Sequence, residues 1–290
     1  MLKPQKFDKN GLISKEIRIP SPCVLYRDSI MEPYEKKTMN RYFVSTDSRM
    51  LVHGGDLVIG RYSVLPYYKE LENDLKQEGV KLINSYSEHR YVADLQNYIQ
   101  DLEDLTPRTW NFRDITQVPD NIPLIVKGET NSRKDKWKTH MFAKNKQEAI
   151  EVYSRLQDDS LIAQQEIYLR EYVPLASLIQ DNINGQPITL EFRFFVCYGE
   201  ILSGGFYWSS DVDELDIIPQ VSCVPKEFLQ SAINKVKENV SFFVIDVAKT
   251  ESGNWIVVEL NDGQCSGLSE NNPEELYSNL KNITWDRYHK

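Results

Sequence analysis

Two carboxylates and one amide near the carboxyl end of the chain have a spacing that suits a metal site. Residues 242–261 have the pattern of two β-strands joined by an ESGN turn. If this turn has a two-residue loop, Asp246 lies directly opposite Glu259, and Asn261 lies on the same face. Opposed carboxylates repel each other, and nothing within the hairpin neutralises them. Because all three side chains offer oxygen ligands, the pattern favours Mg²⁺.

The same hairpin allows two other interpretations. A half-solvated hairpin with a polar outer face also fits the alternation, because the opposite face is entirely apolar. The apolar residues of that face are Phe243, Ile245, Val247, Ile256, Val258 and Leu260. A three-residue bulged turn would shift the register by one residue and spoil the pairing of the two acids.

Basic side chains follow one apolar strand and interrupt another. Lys127 ends the strand IPLIVKG, and a polar, basic loop follows it. The loop contains Arg133, Lys134, Lys136 and Lys138. Arg193 lies within the apolar strand EFRFFV, where a guanidinium needs an anion, supplied either by Glu191 or Glu171 or by a bound phosphate. Cations concentrated in an acidic protein with a carboxylate site indicate a nucleoside triphosphate with Mg²⁺.

The composition narrows the class of protein. The 290 residues, of which 41% are apolar, can bury the core of one large domain or two coupled domains. A net charge of -9 argues against a nucleic-acid partner on electrostatic grounds. The four cysteines form no C-x-x-C pair, which excludes zinc-ribbon and thioredoxin-like sites. Walker-type, G-x-G-x-x-G, H-E-x-x-H and G-x-S-x-G motifs are also missing.

The chain shows no targeting or membrane signal. The first residues are polar and have no apolar h-region, so we expect a loose terminus and no secretory signal. No run of about 20 apolar residues occurs, so we expect no membrane span. Sparse cysteine together with these features predicts a cytoplasmic protein.

Strands and helices alternate in the first third of the chain, which predicts an α/β arrangement there. The strands are PCVLY, DLVIG and VKLINS, and the helices are YYKELENDLKQEG and HRYVADLQNYIQDLEDL. The sequence TPRTW at 106–110 ends this alternation. Further on, NKQEAIEVYSRLQD predicts an amphipathic helix, and a hairpin is centred on Tyr198-Gly199. The apolar stripe of that helix contains Ala149, Ile150, Val152, Tyr153 and Leu156.

Taken in order, these motifs resemble the ATP-grasp superfamily. They are similar to its phage and bacterial clade named for one arginine and two lysines, and more distantly to the assembly chaperone of eukaryotic translation initiation factor two. The matching segments are IVKGETNSRKDKW, YLREYVPL, EFRFFV, FYW and DVAKTESGNWIVVELNDG. The resemblance covers residues 106–270 well and the preceding part only loosely.

The resemblance implies an ATP-grasp fold of the α+β and α/β class, with two α+β subdomains that grip ATP behind a small α/β N-terminal domain. Residues 1–105 would form the N-terminal domain on the substrate side. Residues 106–180 would form the lid subdomain with the lysine loop and the hinge. Residues 181–290 would form the subdomain with the arginine strand and the metal hairpin.

The resemblance also implies roles for individual residues. Lys127 would contact the α-phosphate and the adenine edge, and Ser132 would help the loop wrap phosphate. Lys134, or alternatively Lys138, would be the second lysine and serve catalysis. Arg193 would bind the γ-phosphate and the charge that develops during transfer. One or two Mg²⁺ ions would be held by Asp246, Glu259 and Asn261.

The segment Arg170-Glu171-Tyr172-Val173 resembles the hinge that reads adenine. Backbone groups of Glu171 and Val173 would pair with the edge of the base, whereas core packing is the alternative role for the side chains of Tyr172 and Val173. Trp208 is interpreted as a packing residue, and Glu191 as a partner of Arg193. Substrate contacts would come from the N-terminal part, where Arg61, Asn84 and His89 are candidates.

The implied reaction is ATP- and Mg²⁺-dependent ligation, in which a carboxylate becomes an acyl phosphate that an amine attacks. The partners would be ATP and an unidentified carboxylate and amine. The alternative is an ATP-binding assembly factor for a protein client, without ligation. A nucleotidyl ligase would need a K-x-D-G motif, but Lys127 is followed by Gly-Glu-Thr.

Overall fold

Three four-stranded sheets follow one another in the part of the chain that the structure describes. The computed structural model describes residues 20–179, 186–208 and 218–288. The sheets contain strands β1–β4, β5–β8 and β11–β14, and β9 pairs separately with β10. The expected loose terminus at residues 1–19 and the expected boundary at 180/181 lie outside the described residues. Within the described ranges, no helix has both the length and the apolar character required to cross a lipid bilayer.

The first sheet is parallel and has the strand order β2-β1-β3-β4, as the α/β pattern predicted. Its strands are β1 Pro22–Tyr26, β2 Val44–Thr46, β3 Leu57–Arg61 and β4 Lys81–Leu82. The helices of this part are α1 Pro33–Tyr42, α2 Tyr68–Gln77, α3 Tyr86–Ala93 and α4 Leu95–Tyr98. The single helix expected over HRYVADLQNYIQDLEDL is wrong, because Asp94 is extended and separates α3 from α4.

The second sheet is antiparallel, with the order β5-β8-β6-β7. Its elements are β5 Thr109–Asn111, β6 Leu124–Gly128, α5 Trp137–His140, β7 Phe142–Ala143, α6 Lys146–Gln157 and β8 Ile167–Glu171. The predicted helix α6 is confirmed, and Ala149, Val152 and Leu156 are buried. Ile150 is exposed, so the buried stripe is narrower than the sequence suggested.

The third sheet is antiparallel and has the order β12-β11-β13-β14. The remaining elements are β9 Ser177–Ile179, β10 Ile188–Thr189, β11 Glu191–Cys197, β12 Glu200–Phe206, α7 Lys226–Val236, β13 Phe242–Lys249, β14 Trp255–Asp262 and α8 Pro273–Tyr288. On one face, Ile245 packs in the same core as Ile233 of α7. On the other face, Val244 shares a second core with Leu280 of α8 and Ile59 of the parallel sheet.

The hairpin of β13 and β14 has the predicted pairing of Asp246 with Glu259, but its turn and its register differ from the prediction. Lys249 pairs with Trp255, so the turn is longer than the two-residue loop assumed from the sequence. The pairing register then shifts between Val247 and Asp246, which leaves Val258 as an extra residue in a β-bulge. Asp246 therefore does lie opposite Glu259.

The bulge also changes which side chains face the core. Val257, rather than Val258, packs in the core beside Leu260. Ile256 and Val258 line a cavity instead, so the predicted apolar face is wrong at these two positions. An extra residue in a strand with a side-chain period of two reverses the orientation of the residues on one side of it.

Two isoleucine substitutions test the described core. We expect Ile245→Ala to lower the free energy of unfolding by about 2–5 kcal/mol, because Ile245 is 0% exposed and its truncation leaves a cavity. The matched control is Ile150→Ala, which removes the same atoms from a side chain that is 38% exposed. Urea denaturation of both variants measures the difference. Equal losses in the two variants would contradict the assignment.

Candidate active site

Charged side chains form a row across the third sheet. Arg193 of β11 pairs in register with Asp246 of β13, which pairs in turn with Glu259 of β14. Neighbouring strands are about 4.8 Å apart, so three charged side chains stand next to one another on one face. Asn261 is two residues beyond Glu259 and pairs with Val244. The structure thus brings together the arginine and the three oxygen ligands predicted from the sequence.

Each acid of this row has a basic partner. Arg193 donates from Nε to Asp246 Oδ1 at 2.9 Å and from Nη2 to Oδ2 at 2.8 Å. The Nζ atom of Lys127, on β6 of the second sheet, donates to Glu259 Oε1. Lys127 is 6% exposed and Asp246 is 1% exposed, so both ion pairs are well shielded from water. The suggestion that Arg193 pairs with Glu191 or Glu171 is therefore wrong.

The lysines determine the charge of Glu259. Burial favours the neutral form of this carboxyl, but Lys127 and Lys134 outweigh burial and lower its pKa to about 2. Glu259 is consequently ionised at neutral pH. An ionised carboxylate is the form that can bind a cation.

Lys134, and not Lys138, reaches the row. The Nζ atom of Lys134 donates to the hydroxyl of Tyr207 at 2.6 Å and lies 4.5 Å from the centre of its ring. Lys134 lines both cavities described below. Lys138 is exposed and is not among the described residues that line either of them. Of the two alternatives that the sequence left open, the geometry favours Lys134.

Two contacts hold the first part of the basic loop. Arg133 donates from Nε to the carboxylate oxygens of Asp159 at 2.9 and 2.8 Å. Hydrogen bonds from Arg133 are the main cause that lowers the pKa of Asp159 to about 2. Just before Arg133 in the chain, Gln165 Oε1 accepts from the backbone N–H of Thr130 at 3.0 Å. A Cβ atom on Gly128 would lie only 2.5 Å from this Gln165 oxygen, so a larger residue there would displace the Gln165 side chain.

An apolar cavity extends from this row towards the hinge. It is lined by Lys127, Ser132, Lys134, Arg170, Glu171, Tyr172, Val173, Glu191, Glu259 and a set of apolar side chains. The apolar set is Pro107, Ile125, Trp137, Met141, Leu175, Pro187, Trp208, Ile256 and Val258. A second cavity on the other side of the row shares Ser132, Lys134 and Glu259 with the first. This outer cavity also contains Arg193 and Asn261.

The hinge segment forms one wall of the apolar cavity. Its N–H groups at Glu171 and Tyr172 donate to the carbonyls of Arg108 and Pro123, at 2.8 and 2.9 Å. The ring of Tyr172 contacts Phe142 edge-on, with centroids 5.1 Å apart. The carboxylate of Glu171 pairs with Arg108. That backbone groups of Glu171 and Val173 hydrogen-bond to the edge of adenine remains a prediction.

Arg170 has a role that the sequence did not suggest. Its guanidinium donates to the carbonyls of Val258 and Val257 and to the hydroxyl of Thr106. The first two acceptors belong to the β-bulge. Arg170 therefore links the hinge strand to the bulge that sets Glu259 opposite Asp246.

Two residues of the apolar cavity carry buried polar atoms without a described partner, which the sequence did not indicate. Glu191 is 3% exposed, and its Oε1 atom has no hydrogen-bond partner among the described residues. Burial raises the pKa of this carboxyl to about 7. Trp208 lines the cavity, and its indole Nε1 also lacks a described partner. The signals were an acid two residues before Arg193 and a tryptophan after an apolar strand, both of which also occur in ordinary cores.

The N-terminal candidates do not contact a substrate cavity. Arg61 and Asn84 are 0% exposed and His89 is 8% exposed. None of them is among the described residues that line the cavities around the row. All three bond to residues that lie near the end of β14, so the expectation that they bind substrate is wrong.

The donor set of the row fits a magnesium ion. Asp246, Glu259 and Asn261 offer only oxygen atoms as metal ligands, which Mg²⁺ prefers. No group of three or more His, Cys, Asp or Glu side chains with metal-binding geometry occurs in the part of the chain that the structure describes. An ion bound here would therefore also need ligands such as phosphate oxygens or water.

Comparison with known proteins agrees with this geometry. A family model of the ATP-grasp domain, described as family 3 of the clade named for one arginine and two lysines, matches residues 114–280. Comparison with curated proteins finds no relative of significant similarity.

Three solved structures illustrate the likeness in fold. D-cycloserine synthetase DcsG superposes with a TM-score of 0.59 at 14% identity, over 91% of this chain and 99% of that chain. A RimK domain ATP-grasp protein from Sphaerobacter thermophilus DSM 20745 gives 0.55 at 12% identity, over 91% and 99%. D-alanine–D-alanine ligase from Bacillus anthracis, complexed with ATP, gives 0.55 at 12% identity, over 93% and 97%. The predicted ATP-grasp fold is confirmed.

Stability as a function of pH tests the state of Glu191. Because the pKa of Glu191 is about 7 in the folded chain and about 4.3 in an unfolded one, the folded chain holds the extra proton between these values. This group therefore lowers stability as the pH rises through that window. We therefore compare the free energy of unfolding of Glu191→Gln with that of wild type. We expect this difference to shift in favour of the variant by at least about 1 kcal/mol when the pH is raised from 5 to 8.

Urea denaturation at the two pH values measures this gain. The matched control is Glu103→Gln, at an exposed position where the same change should give no pH-dependent difference. The assignment fails if Glu191→Gln and wild type differ by the same amount at both pH values.

Proposed function

The chain belongs to family 3 of the ATP-grasp clade named for one arginine and two lysines, and from this membership we propose that it is an ATP- and Mg²⁺-dependent ligase that joins a carboxylate to an amine. The observation that carries the proposal is the row of Arg193, Asp246 and Glu259 beside Lys127, at the junction of an apolar and a polar cavity. At this junction, the apolar cavity suits the adenine base and the polar cavity suits the triphosphate.

The two cavities suggest how ATP would lie. The adenine would occupy the apolar cavity between Met141, Tyr172 and Val258, with its edge against the hinge backbone. The phosphates would pass the two lysines of the cavity towards Arg193 in the outer cavity. Glu191 and Arg193 lie on the same face of β11, about 6.6 Å apart along the strand. Glu191 lines the apolar cavity, whereas Arg193 lines the outer one. The free oxygen of Glu191 could then accept a hydrogen bond from the ribose.

The ion pairs of the row would exchange partners when the nucleotide binds. In the structure, Lys127 and Arg193 compensate the two acids. On binding, the two cations would turn to phosphate oxygens, and Asp246, Glu259 and Asn261 would take up Mg²⁺. When bound, Mg²⁺ supplies charge neutralisation at the phosphate oxygens. The side chains of the row and of the two lysines would hold the triphosphate and the ion in position for transfer.

The proposed reaction has two steps. An oxygen of the substrate carboxylate attacks the γ-phosphorus, the bond to the β-phosphate oxygen breaks, and ADP leaves. The amine then attacks the acyl phosphate carbon, inorganic phosphate leaves with the bonding electron pair, and the amine nitrogen loses a proton. Arg193 and Lys134 would stabilise the charge on the transferred phosphoryl group. No covalent bond to the protein is required.

The products of ATP distinguish this proposal from its alternatives. Purified protein is incubated with ATP, Mg²⁺ and panels of carboxylates and amines, and the release of ADP and phosphate is measured. Ligation predicts ADP release that depends on both an acid and an amine. Tight ATP binding without such release from any pair would instead favour a protein-client factor. Release of AMP and pyrophosphate would contradict the proposal.

Two lysines of the basic loop provide a matched pair for nucleotide binding. We expect Lys134→Ala to weaken the binding of a non-hydrolysable ATP analogue with Mg²⁺ by about 10- to 100-fold, because a hydrogen bond to a charged group is worth about 1.5–3 kcal/mol. Lys138→Ala removes the same charge from an exposed position and should change the affinity by less than about twofold. Isothermal titration calorimetry measures both. Equal effects at the two positions would refute the role of Lys134.

Substitutions in the row test the proposed roles of its three residues in catalysis. We expect Asp246→Asn, Glu259→Gln and Arg193→Ala each to slow ADP release by at least about 10²–10³-fold, because each removes a charge that meets the transferred group or its metal. Circular dichroism should show that the variants are folded. An intact turnover rate in any of the three would exclude that residue from catalysis.

A further inference from the structure

A buried arginine joins the N-terminal parallel sheet to the loop that follows β14. Arg61, the last residue of β3, is 0% exposed. Its Nη1 atom donates to the carbonyls of Gly263 at 2.7 Å and Ser266 at 3.1 Å. The other guanidinium nitrogens donate to Glu35, Tyr62 and Tyr277. Every nitrogen of this side chain is thus engaged, and two of its acceptors are carbonyls of one short loop.

The parallel sheet also holds this loop through Gln264. The backbone N–H of Gly60 donates to Gln264 Oε1 at 2.7 Å, and that of Tyr62 donates to the Gln264 carbonyl at 2.8 Å. The side-chain amide of Gln264 donates to the hydroxyl of Tyr68 at 2.6 Å. Residues on both sides of Arg61 therefore bind the same loop residue.

Asp262 anchors the start of the loop in the same way. Its Oδ1 atom accepts from Asn84 Nδ2 at 2.9 Å, and its Oδ2 atom lies 3.0 Å from His89 Nδ1. Asp262 is 2% exposed. The three polar residues of the N-terminal part that looked like substrate contacts thus converge on residues 262–266.

Both ends of this loop reach the charged row. Asn261 immediately precedes it on β14. At the other end, the carbonyl of Gly267 accepts from Arg193 Nη1 at 3.0 Å. Arg193 is the residue that pairs with Asp246. A displacement of the loop would therefore move a metal-ligand candidate and the arginine of the row together.

The burial of Arg61 has a free-energy cost that packing alone does not explain. Taking a guanidinium out of water costs several kcal/mol, and apolar residues of similar volume often stabilise a core at least as well. We propose that Arg61 is a positioning residue: it fixes residues 262–267 and thereby holds Asn261, and Arg193 beside Asp246, in the arrangement that magnesium binding requires. This inference rests on the proposed function.

Binding of Mn²⁺ in place of Mg²⁺ tests the inference without a turnover assay. We would measure Mn²⁺ affinity by electron paramagnetic resonance in the presence of a non-hydrolysable ATP analogue, and analogue affinity separately in EDTA. For Arg61→Lys, we expect Mn²⁺ binding to weaken by about 10- to 100-fold, the effect typical of residues that orient metal ligands. Analogue binding in EDTA should stay within about twofold of wild type.

A hydroxyl pair supplies a milder variant and its control. Tyr277→Phe removes a hydroxyl that accepts from Arg61 Nε at 3.1 Å, and should weaken Mn²⁺ binding on the order of threefold. Tyr42→Phe removes a hydroxyl that donates to Glu274, between α1 and α8, and should leave Mn²⁺ binding unchanged. If Arg61→Lys does not fold, this pair decides the question.

The outcomes separate the two proposals. If the variants lose thermal stability but bind Mn²⁺ as wild type does, or if they lose Mn²⁺ and analogue binding equally, the positioning role is overturned. If wild type itself binds neither the analogue nor Mn²⁺, the proposed function fails first. Selective loss of Mn²⁺ binding in Arg61→Lys and Tyr277→Phe, with Tyr42→Phe unaffected, supports the positioning role.

Discussion

Two shielded carboxylates on adjacent strands need compensating positive charge, and the rest of the site follows from that need. Asp246, which is 1% exposed, stands opposite Glu259, whose side chain is 21% exposed, so water screens the two charges only in part. They are compensated by Arg193 and Lys127, which come from different sheets. The ion pair of Glu259 with Lys127 therefore also joins the second sheet to the third. Nucleotide and metal would each bind more tightly when the other is present, because either one alone leaves a charge only partly compensated.

The opposition of the two acids depends on a contact far away in the sequence. The turn between β13 and β14 is longer than a two-residue loop, which alone would place Glu259 out of register with Asp246. The bulge at Val258 restores the pairing, and Arg170 binds its carbonyl from the hinge strand. The sequence therefore predicted the correct pair from an incorrect turn. Local alternation cannot reveal a bulge that a residue 88 positions away supports.

Other features of the fold and the site were predictable where local sequence determines them and unpredictable where distant contacts do. The α/β alternation and the helix α6 were predictable from local periodicity, and the order of the site motifs was predictable from the resemblance to the ATP-grasp superfamily. The partner of Arg193 was not, because the register between β11 and β13 is set by packing of whole strands. The buried state of Arg61 was not predictable either, since an arginine at a strand end is normally taken to be exposed. Its carbonyl acceptors lie more than 200 residues away.

The last helix has a consequence for how the chain acquires its structure. Tyr277 of α8 donates to Glu35, a separation of 242 residues, and Leu280 packs in the core that contains Ile59. During synthesis, the parallel sheet and its arginine would emerge long before these partners exist. Contacts between such distant segments make folding slow, because the intervening chain must first be ordered. The geometry around the charged row would then mature only after α8 has been synthesised, as a late event in the folding of this region.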